Sequence, residues 1–160
     1  MTSRNDFAED EWSRIVRAPF MAGLAISLAD PGGPVETTKE TLATLESATN
    51  PPSGEELLAE VAMEIHAMRE RKQSPLGGYR PAADAGPAVE QVLEELRGVR
   101  VIVTAKATPA EATAFGRWLV AAAQAAAHAA DEGGFLGFGA EQVSEREKAM
   151  LDQVRAAVTG

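Results

Sequence analysis

Residues 108–131 read TPAEATAFGRWLVAAAQAAAHAAD and decide the fold class of this 160-residue chain. Thr108 and Glu111 flank Pro109 in the pattern of a helix start, where side chains at both ends of the first turn cap backbone N–H groups. The apolar side chains then recur every three or four residues, as they do on one helix face: Phe115, Trp118, Leu119, Ala122, Ala126 and Ala129. This segment therefore predicts a long helix that packs closely against other helices through its alanines.

The composition of the whole chain also favours an all-α fold. Hydrophobic residues make up 45% of the chain but aromatic residues only 5%, so alanine, leucine and valine must build the core. The β-branched and aromatic residues that suit strands are scarce outside one short stretch. A chain of this length is typical of one domain. We therefore expect a bundle of about six helices in a single domain over residues 1–160.

Periodicity and helix-boundary residues place these helices along the chain. Capping boxes, in which a Ser, Thr or Asp precedes a Glu by three residues, are expected to begin helices at Asp6, Ser53, Thr108 and Ser144. Pro19 removes a backbone N–H group and is expected to kink or restart the first helix. The predicted helices cover 7–17 continuing as 19–30, then 34–48, 53–72, 87–106, 108–131 and 144–158.

Two stretches are ambiguous or irregular. Val99, Val101 and Val103 alternate with Arg100 and Ile102, which fits either a helix or a short strand, and helix is favoured because a lone strand would lack a pairing partner. Residues 74–86, SPLGGYRPAADAG, show no apolar period and are rich in Pro, Gly and Ala. They are predicted to be a linker, which would divide the domain into halves 7–73 and 87–158.

Charge and residue usage exclude several classes of function. The formal net charge is −9 and the chain has no cysteine. This charge disfavours nucleic acid, whose binding requires neutralisation of phosphates, and anionic lipid surfaces. The absence of cysteine excludes disulfides, thiolate zinc sites and cysteine nucleophiles. The apolar runs at 20–29 and 118–130 are too short to span a bilayer, and no secretory signal is visible. We therefore expect a cytoplasmic protein that binds neither nucleic acid nor membrane.

The glycine-rich stretch 131–148, DEGGFLGFGAEQVSEREK, does not match the known phosphate-binding loops. A P-loop requires a lysine that reaches the phosphates, and a dinucleotide fingerprint requires a third glycine where Gln142 stands. The stretch is better interpreted as a helix–helix connector. Its apolar residues Phe135, Leu136 and Phe138 either fold back onto this domain or bind a protein partner, and they are our candidate partner-binding residues.

This stretch has an echo earlier in the chain. The sequences LADPGGPVETTKETL at 28–42 and AADEGGFLGFGAEQVSEREKAML at 129–151 each end a helix with Ala-Asp, pass through two glycines and reach a valine before a charged helix start. Duplication and ordinary helix-stop chemistry both explain the pattern. A duplication would make the bundle two pseudo-repeated halves.

The echo carries a family resemblance. Ala29-Asp30, Ala130-Asp131 and the Val143-Ser144 to Glu147-Lys148 helix start resemble the TerB-like, tellurite-resistance-associated helical domains. The ending GGFLGFGAEQVSEREKAML is also similar to that of small bacterial helical proteins. The TerB-like resemblance implies an all-α bundle of two related halves, a link to stress response, and metal binding through acidic residues near the Ala-Asp loops.

The residues themselves offer one set of oxygen ligands for a divalent cation such as Ca²⁺ or Mg²⁺. Asp30, Asp131 and Glu132 are the candidate metal ligands, since hard cations prefer carboxylate oxygens. A cation would relieve the unfavourable dipole that Asp30 and Asp131 meet at helix C-termini, although capping of local turns explains the same residues. The Glu-x-x-His pairs of di-iron bundles are absent, because positions 63 and 125 are Met and Ala.

No catalytic residues and no organic cofactor site are predicted. His128 and Asp131 share a helix face and could form an acid–base pair, but a solvated polar stripe is the favoured interpretation, and His66 is expected to be partly buried. The leading prediction is a non-catalytic helical module in protein–protein interaction or stress physiology. Its partner is another protein or a second copy that packs on the alanine face at 121–130. A divalent-metal-binding domain and a helical enzyme with the His-Asp pair are the alternatives.

Overall fold

The structure, a computed structural model, describes residues 2–30, 34–131 and 144–159, and for residues 34–36, 130 and 131 it describes the backbone alone. A short 3-10 helix at Arg4–Asp6 precedes six α-helices. These are α1 (Glu9–Ala29), α2 (Pro34–Ala48), α3 (Glu56–Glu70), α4 (Ala88–Lys106), α5 (Pro109–Asp131) and α6 (Glu145–Thr159). No strand occurs within these ranges, and the all-α class is confirmed. Residues 99–104 are helical within α4.

The first helix differs from its prediction. α1 is one helix of 21 residues that contains Pro19, so of the two expected outcomes, a kink or a restart, the restart is wrong. Proline at this position removes one backbone hydrogen bond. Pro19 is buried with its neighbours Ala18 and Phe20, so tertiary packing holds the helix together across the missing bond.

Two of the four predicted capping boxes begin helices. The Glu111 N–H donates to the Thr108 hydroxyl at 3.2 Å, and the Thr108 N–H donates to the Glu111 carboxylate at 3.0 Å. The Ser144 and Glu147 pair is closed in the same way, with both distances at 3.2 Å. Each box satisfies two N–H groups that the first helical turn leaves unpaired.

The other two predicted boxes are wrong. The carboxylate of Asp6 accepts the N–H of Ser3 at 2.8 Å and so caps the 3-10 helix. α1 begins two residues later than this box predicts, where the N–H of Ala8 donates to Glu11 at 2.9 Å. α3 has Glu55, not Ser53, at its N-cap, and Glu55 makes no side-chain capping bond.

α5 lies at the centre of the bundle and contacts the other five helices. Its predicted apolar stripe is confirmed, since Phe115, Trp118 and Leu119 are at most 2% exposed. Four of its alanines have no exposed surface: Ala122, Ala123, Ala126 and Ala127. Small side chains allow helix axes to approach closely, so this part of the core is filled by helix proximity rather than by large side chains.

α1 and α2 form a tight antiparallel pair. Gly23 of α1 lies against Thr44 of α2. Four residues later in α1, Ser27 donates a hydrogen bond to Glu40, which lies four residues earlier in α2 than Thr44. The residue numbers rise along α1 while they fall along α2, so the two helices run in opposite directions.

Two hydrogen bonds then fix the direction of α5. The N–H of Thr2, before α1, donates to Glu111 in the first turn of α5 at 2.9 Å. Seven residues later, the indole N–H of Trp118 donates to the carbonyl of Ser47, near the end of α2, at 2.8 Å. α5 therefore runs in the same general direction as α1. It follows that α1 and α5 end at the same end of the bundle.

The predicted linker at 74–86 is folded onto the bundle. The N–H of Gly77 donates to the carbonyl of Ser74, and the N–H of Tyr79 donates to that of Leu76, each at 3.0 Å. Leu76 and Tyr79 pack against the core. The guanidinium of Arg17 lies 5.5 Å from the centre of the Tyr79 ring. This segment therefore helps to enclose the core beside α1.

None of the helices in the described part of the chain is long and apolar enough to cross a bilayer.

Gly23 provides the first stability test, because a Cβ atom there would lie 2.5 Å from the Thr44 hydroxyl oxygen and 2.9 Å from its methyl carbon. Alanine normally stabilises a helix relative to glycine. We nevertheless expect Gly23→Ala to lower the free energy of unfolding by about 1–2 kcal/mol, because Thr44 is buried and must move.

Chemical denaturation measures this effect. Adding Thr44→Ala to Gly23→Ala is expected to recover part of the loss, since it removes the hydroxyl and methyl groups and leaves only the Cβ atom of residue 44, 3.2 Å from the added Cβ. Gly54→Ala is the control, because a Cβ atom at Gly54 meets nothing within 4 Å. A Gly23→Ala variant as stable as the wild type would disprove the close contact.

Glu111 provides a pH test. The carboxylate is 2% exposed. Burial alone would raise its pKa, but hydrogen bonds from the Thr2 hydroxyl and from the Thr108 and Thr2 backbone outweigh burial and lower the pKa from 4.5 to about 2. A depressed carboxyl pKa stabilises the folded state above the ordinary pKa, and this contribution disappears as the pH falls through the folded-state value.

We therefore expect Glu111→Gln to lower the free energy of unfolding at pH 7 by on the order of 2 kcal/mol. The gap between the variant and the wild type should narrow from about pH 4.5 to about pH 2. Denaturant titrations across this range measure it. Glu145→Gln, at a side chain that is 88% exposed, is the control and should change little. A difference in unfolding free energy that stays constant with pH would contradict the lowered pKa of Glu111.

Candidate partner-binding groove

The predicted metal and partner residues fall largely outside the described ranges. Glu132, Phe135, Leu136 and Phe138 all lie there. Asp131 is the last residue of α5, and Asp30 follows α1 as its C-cap, with its N–H donating to the carbonyl of Ile26 at 3.3 Å. Among the described side chains, no group of three or more His, Asp or Glu residues is placed to hold a metal ion.

Both histidines are exposed. The prediction that His66 is partly buried is wrong. Ile65, the preceding residue of α3, is 2% exposed and faces the core. Because successive helical residues are rotated by about 100°, His66 is turned towards solvent. His128 lies on the exposed side of α5, and the side chain of Asp131, its predicted partner, is outside what the structure describes.

A surface groove of about 650 Å³ lies between α4 and α6. α4 contributes one helix face at spacings of three and four residues, and α6 contributes two alanines. The lining residues are Arg97, Arg100, Val101, Thr104, Ala105, Ala156 and Ala157. Val101 is 68% exposed, so this face of α4 presents an aliphatic side chain to solvent.

A second hollow of about 460 Å³ adjoins the first and shares Arg100 and Thr104 with it. It extends between α4, α5 and the end of α6, where its walls include Phe115, Arg117 and Val158. We name the two hollows together the α4–α6 groove. They form one continuous surface because the same two residues of α4 line both.

Gly116 explains how α5 and α6 meet beneath this groove. A Cβ atom at Gly116 would lie 2.8 Å from the carbonyl oxygen of Val158. Only glycine therefore allows the end of α6 to approach α5 this closely. The small residues Ala156 and Ala157 of α6 then leave the space that the groove occupies.

Arginine supplies all the charge that lines the α4–α6 groove within the described ranges. Arg97 pairs with Glu94 at 3.0 Å, but both side chains are exposed, and such pairs hold little energy. Arg117 is exposed and has no partner among the described residues. Arg100 is half-buried. The result is a positive, partly apolar surface on a chain of net charge −9.

Sequence reasoning missed this groove. Its α4 residues recur at helical spacing from Arg97 to Ala105, which was the available signal. The alternation of valines over the same residues obscured that signal, since it fits a strand as well. The contribution of α6, more than fifty residues away in the chain, leaves no local trace.

The chemistry of the groove has three parts: an apolar floor, a few hydroxyl groups and arginine side chains. Such a surface complements a segment that carries both acidic and apolar residues. Comparisons with protein-family models, with curated proteins and with solved structures each found no match to this chain.

Proposed function

We propose that this chain is a non-catalytic helical module of the cytoplasm that binds an acidic segment of a partner protein in the α4–α6 groove. The observation that carries the proposal is the charge of the lining. Arg97, Arg100 and Arg117 are the charged side chains that line the groove within the described ranges. An acidic partner gains from these arginines, whereas basic or uncharged partners do not.

An amphipathic helix is the partner that fits this shape. The α4 wall from Arg97 to Ala105 is about 12 Å long, which matches two turns of a helix. A helix that lies in a groove presents apolar residues at spacings of three and four, and its remaining face stays in water. Val101 would contact the apolar face, and the arginines would contact acidic residues at its borders.

The proposed cytoplasmic location and the proposed role in stress response are supported by observations other than the groove. The absence of cysteine is compatible with the reducing cytoplasm. A role in stress response is supported by the TerB-like resemblance of the two Ala-Asp helix ends and by nothing else.

Fluorescence anisotropy tests the partner proposal. The probe is a fluorescein-labelled 16-residue helical peptide of Leu, Ala and Glu, and its counterpart has Lys at every Glu position. We expect the Glu peptide to bind and the Lys peptide not to bind. The double variant Arg100→Glu and Arg117→Glu should weaken binding of the Glu peptide by about tenfold or more, since attraction becomes repulsion. Rising salt should weaken it as well.

A matched control separates the effect of the groove arginines on binding from the effect of the overall charge of the protein. Arg69→Glu with Arg80→Glu changes the net charge equally at two exposed residues that do not line the groove. It should leave affinity within about twofold. Equal loss in both double variants, or equal binding of the two peptides, would refute the proposal. A wild-type dimer in sedimentation equilibrium that Val101→Asp dissociates would identify a second copy of this chain as the occupant instead.

Divalent-metal binding is the second candidate function. One observation favours it: α1 and α5 run in the same direction, so Asp30 and the end of α5 share one end of the bundle. Carboxylates from two such helix ends could share a cation, which would relieve their repulsion from both helix dipoles.

Isothermal titration calorimetry with Ca²⁺, Mg²⁺ and Mn²⁺ tests this candidate. We expect one of these ions to bind the wild type and to raise its melting temperature, as a ligand of the folded state must. Asp131→Ala should weaken binding by about tenfold or more, because it removes a charged ligand. Asp152→Ala, on the exposed face of α6, is the control. The absence of both heat and thermal shift would end the metal proposal.

A further inference from the structure

A cavity of about 350 Å³ lies between α1, α2 and the segment that follows α3. We name it the α1–α2 cavity. Both helices line it with residues three and four positions apart, as one face of a helix does. It shares no residue with the α4–α6 groove. A space of this size suits a small molecule rather than a protein segment.

The larger part of the cavity wall is apolar and is held in place by the fold itself. Phe20 is 6% exposed, and Leu24, Pro75 and Leu76 are half-buried. Leu24 and Leu76 also pack against the core. Backbone hydrogen bonds fold the segment that carries Pro75 and Leu76. A ligand of this cavity therefore gains most of its binding from an apolar body.

Three of the hydroxyl groups that line the cavity share one property: their protons are already used. Ser27 donates its hydroxyl proton to the carboxylate of Glu40. Thr41 donates to the carbonyl of Thr37 at 2.8 Å, and Thr44 donates to the carbonyl of Glu40 at 2.7 Å. A hydroxyl group has one proton but two lone pairs. These three hydroxyls therefore offer only oxygen lone pairs to the cavity, and a polar ligand group beside them must be a donor.

Glu40 adds a negative charge directly behind Ser27. It is the only ionisable residue among the described residues that line the cavity, and it is 3% exposed. Water and salt screen a charge in such a position weakly. A ligand contacts the half-buried Ser27 first, while the carboxylate polarises the Ser27 hydroxyl and strengthens its oxygen as an acceptor. The cavity consequently favours a cationic donor over a neutral donor and disfavours an anion.

We propose that the α1–α2 cavity binds the ammonium form of a primary amine with an apolar body. An ammonium group has three N–H donors and no acceptor, as this lining requires. It donates to the hydroxyl oxygen of Ser27, and the charge of Glu40 lies behind that oxygen. The apolar body lies against Phe20, Leu24 and Leu76. This binding is separate from the proposed partner binding, since none of the groove residues takes part in it.

Calorimetry with matched probes tests the ligand class. The amines are 3-methylbutylamine, 2-phenylethylamine and cyclohexylmethylamine, and each is compared with the alcohol of the same body. We expect at least one amine to bind, and its alcohol to bind about tenfold or more weakly or not at all, because a charged donor forms the stronger hydrogen bond. If none of the amines binds at millimolar concentration, or if the alcohol equals its amine, the proposal is overturned.

Glu40→Gln tests the charge with little change of shape. It should weaken binding of the amine by about tenfold or more, because the ammonium group loses the charge that favours it. Glu46→Gln is the control, since it removes the same charge from an exposed residue of α2 that does not line the cavity. Thermal melts establish that both variants fold. Equal affinities in the two variants would refute the role of Glu40.

Thr41→Trp tests the location without altering a buried residue. Thr41 is exposed at the edge of the cavity, so a large ring there covers the space without entering the core. It should abolish binding of every amine. Leu42→Trp is the control, since Leu42 is 60% exposed and does not line the cavity. This pair decides the proposal even where Glu40→Gln fails to fold, because wild-type affinity in Thr41→Trp would place the amine elsewhere.

Discussion

The bundle depends on the close approach of its helices to one another. Four α5 alanines have no exposed surface, and Gly23 and Gly116 lie where a Cβ atom would collide with an adjacent helix. A chain with 5% aromatic residues cannot fill wide spaces between helices, so its helices must approach until backbone and small side chains touch. The position of each helix therefore depends on the size of single residues on the helix beside it. The helices can move little to accommodate a larger residue.

Close approach also decides where polar groups can be placed. Trp118 is fully buried, and its indole N–H is paired with the carbonyl of Ser47. Glu111 is almost fully buried, and it is paired with Thr2 and Thr108. The bonds from Trp118 to Ser47 and from Thr2 to Glu111 join parts of the chain that are distant in sequence, and an unpaired partner in such a place would cost stability. They therefore fix the relative orientation of the helices, which apolar packing alone would define less strictly.

Much of the fold could be predicted from the sequence because its signals are local. The capping pairs at Thr108 and Ser144 and the apolar period of α5 each lie within one helix, and they gave the correct helices. The errors have different physical causes, one in tertiary packing and one in a local bond to Ser3. Packing carries α1 through Pro19, and Asp6 caps an earlier turn than the pattern indicated. The α4–α6 groove could not be predicted, since it is formed by helices that no sequence pattern connects.

The α4–α6 groove arises from the same close packing. Ala156 and Ala157 are small enough to leave space at the surface, and arginines from α4 and α5 surround it. Ala157 is 4% exposed and belongs to the core, so a larger residue there would have to displace its neighbours. Ala156 is exposed, so a larger residue at that position would extend into the groove without disturbing the core. The core therefore fixes the floor of the groove, whereas its α6 border is free to vary in size.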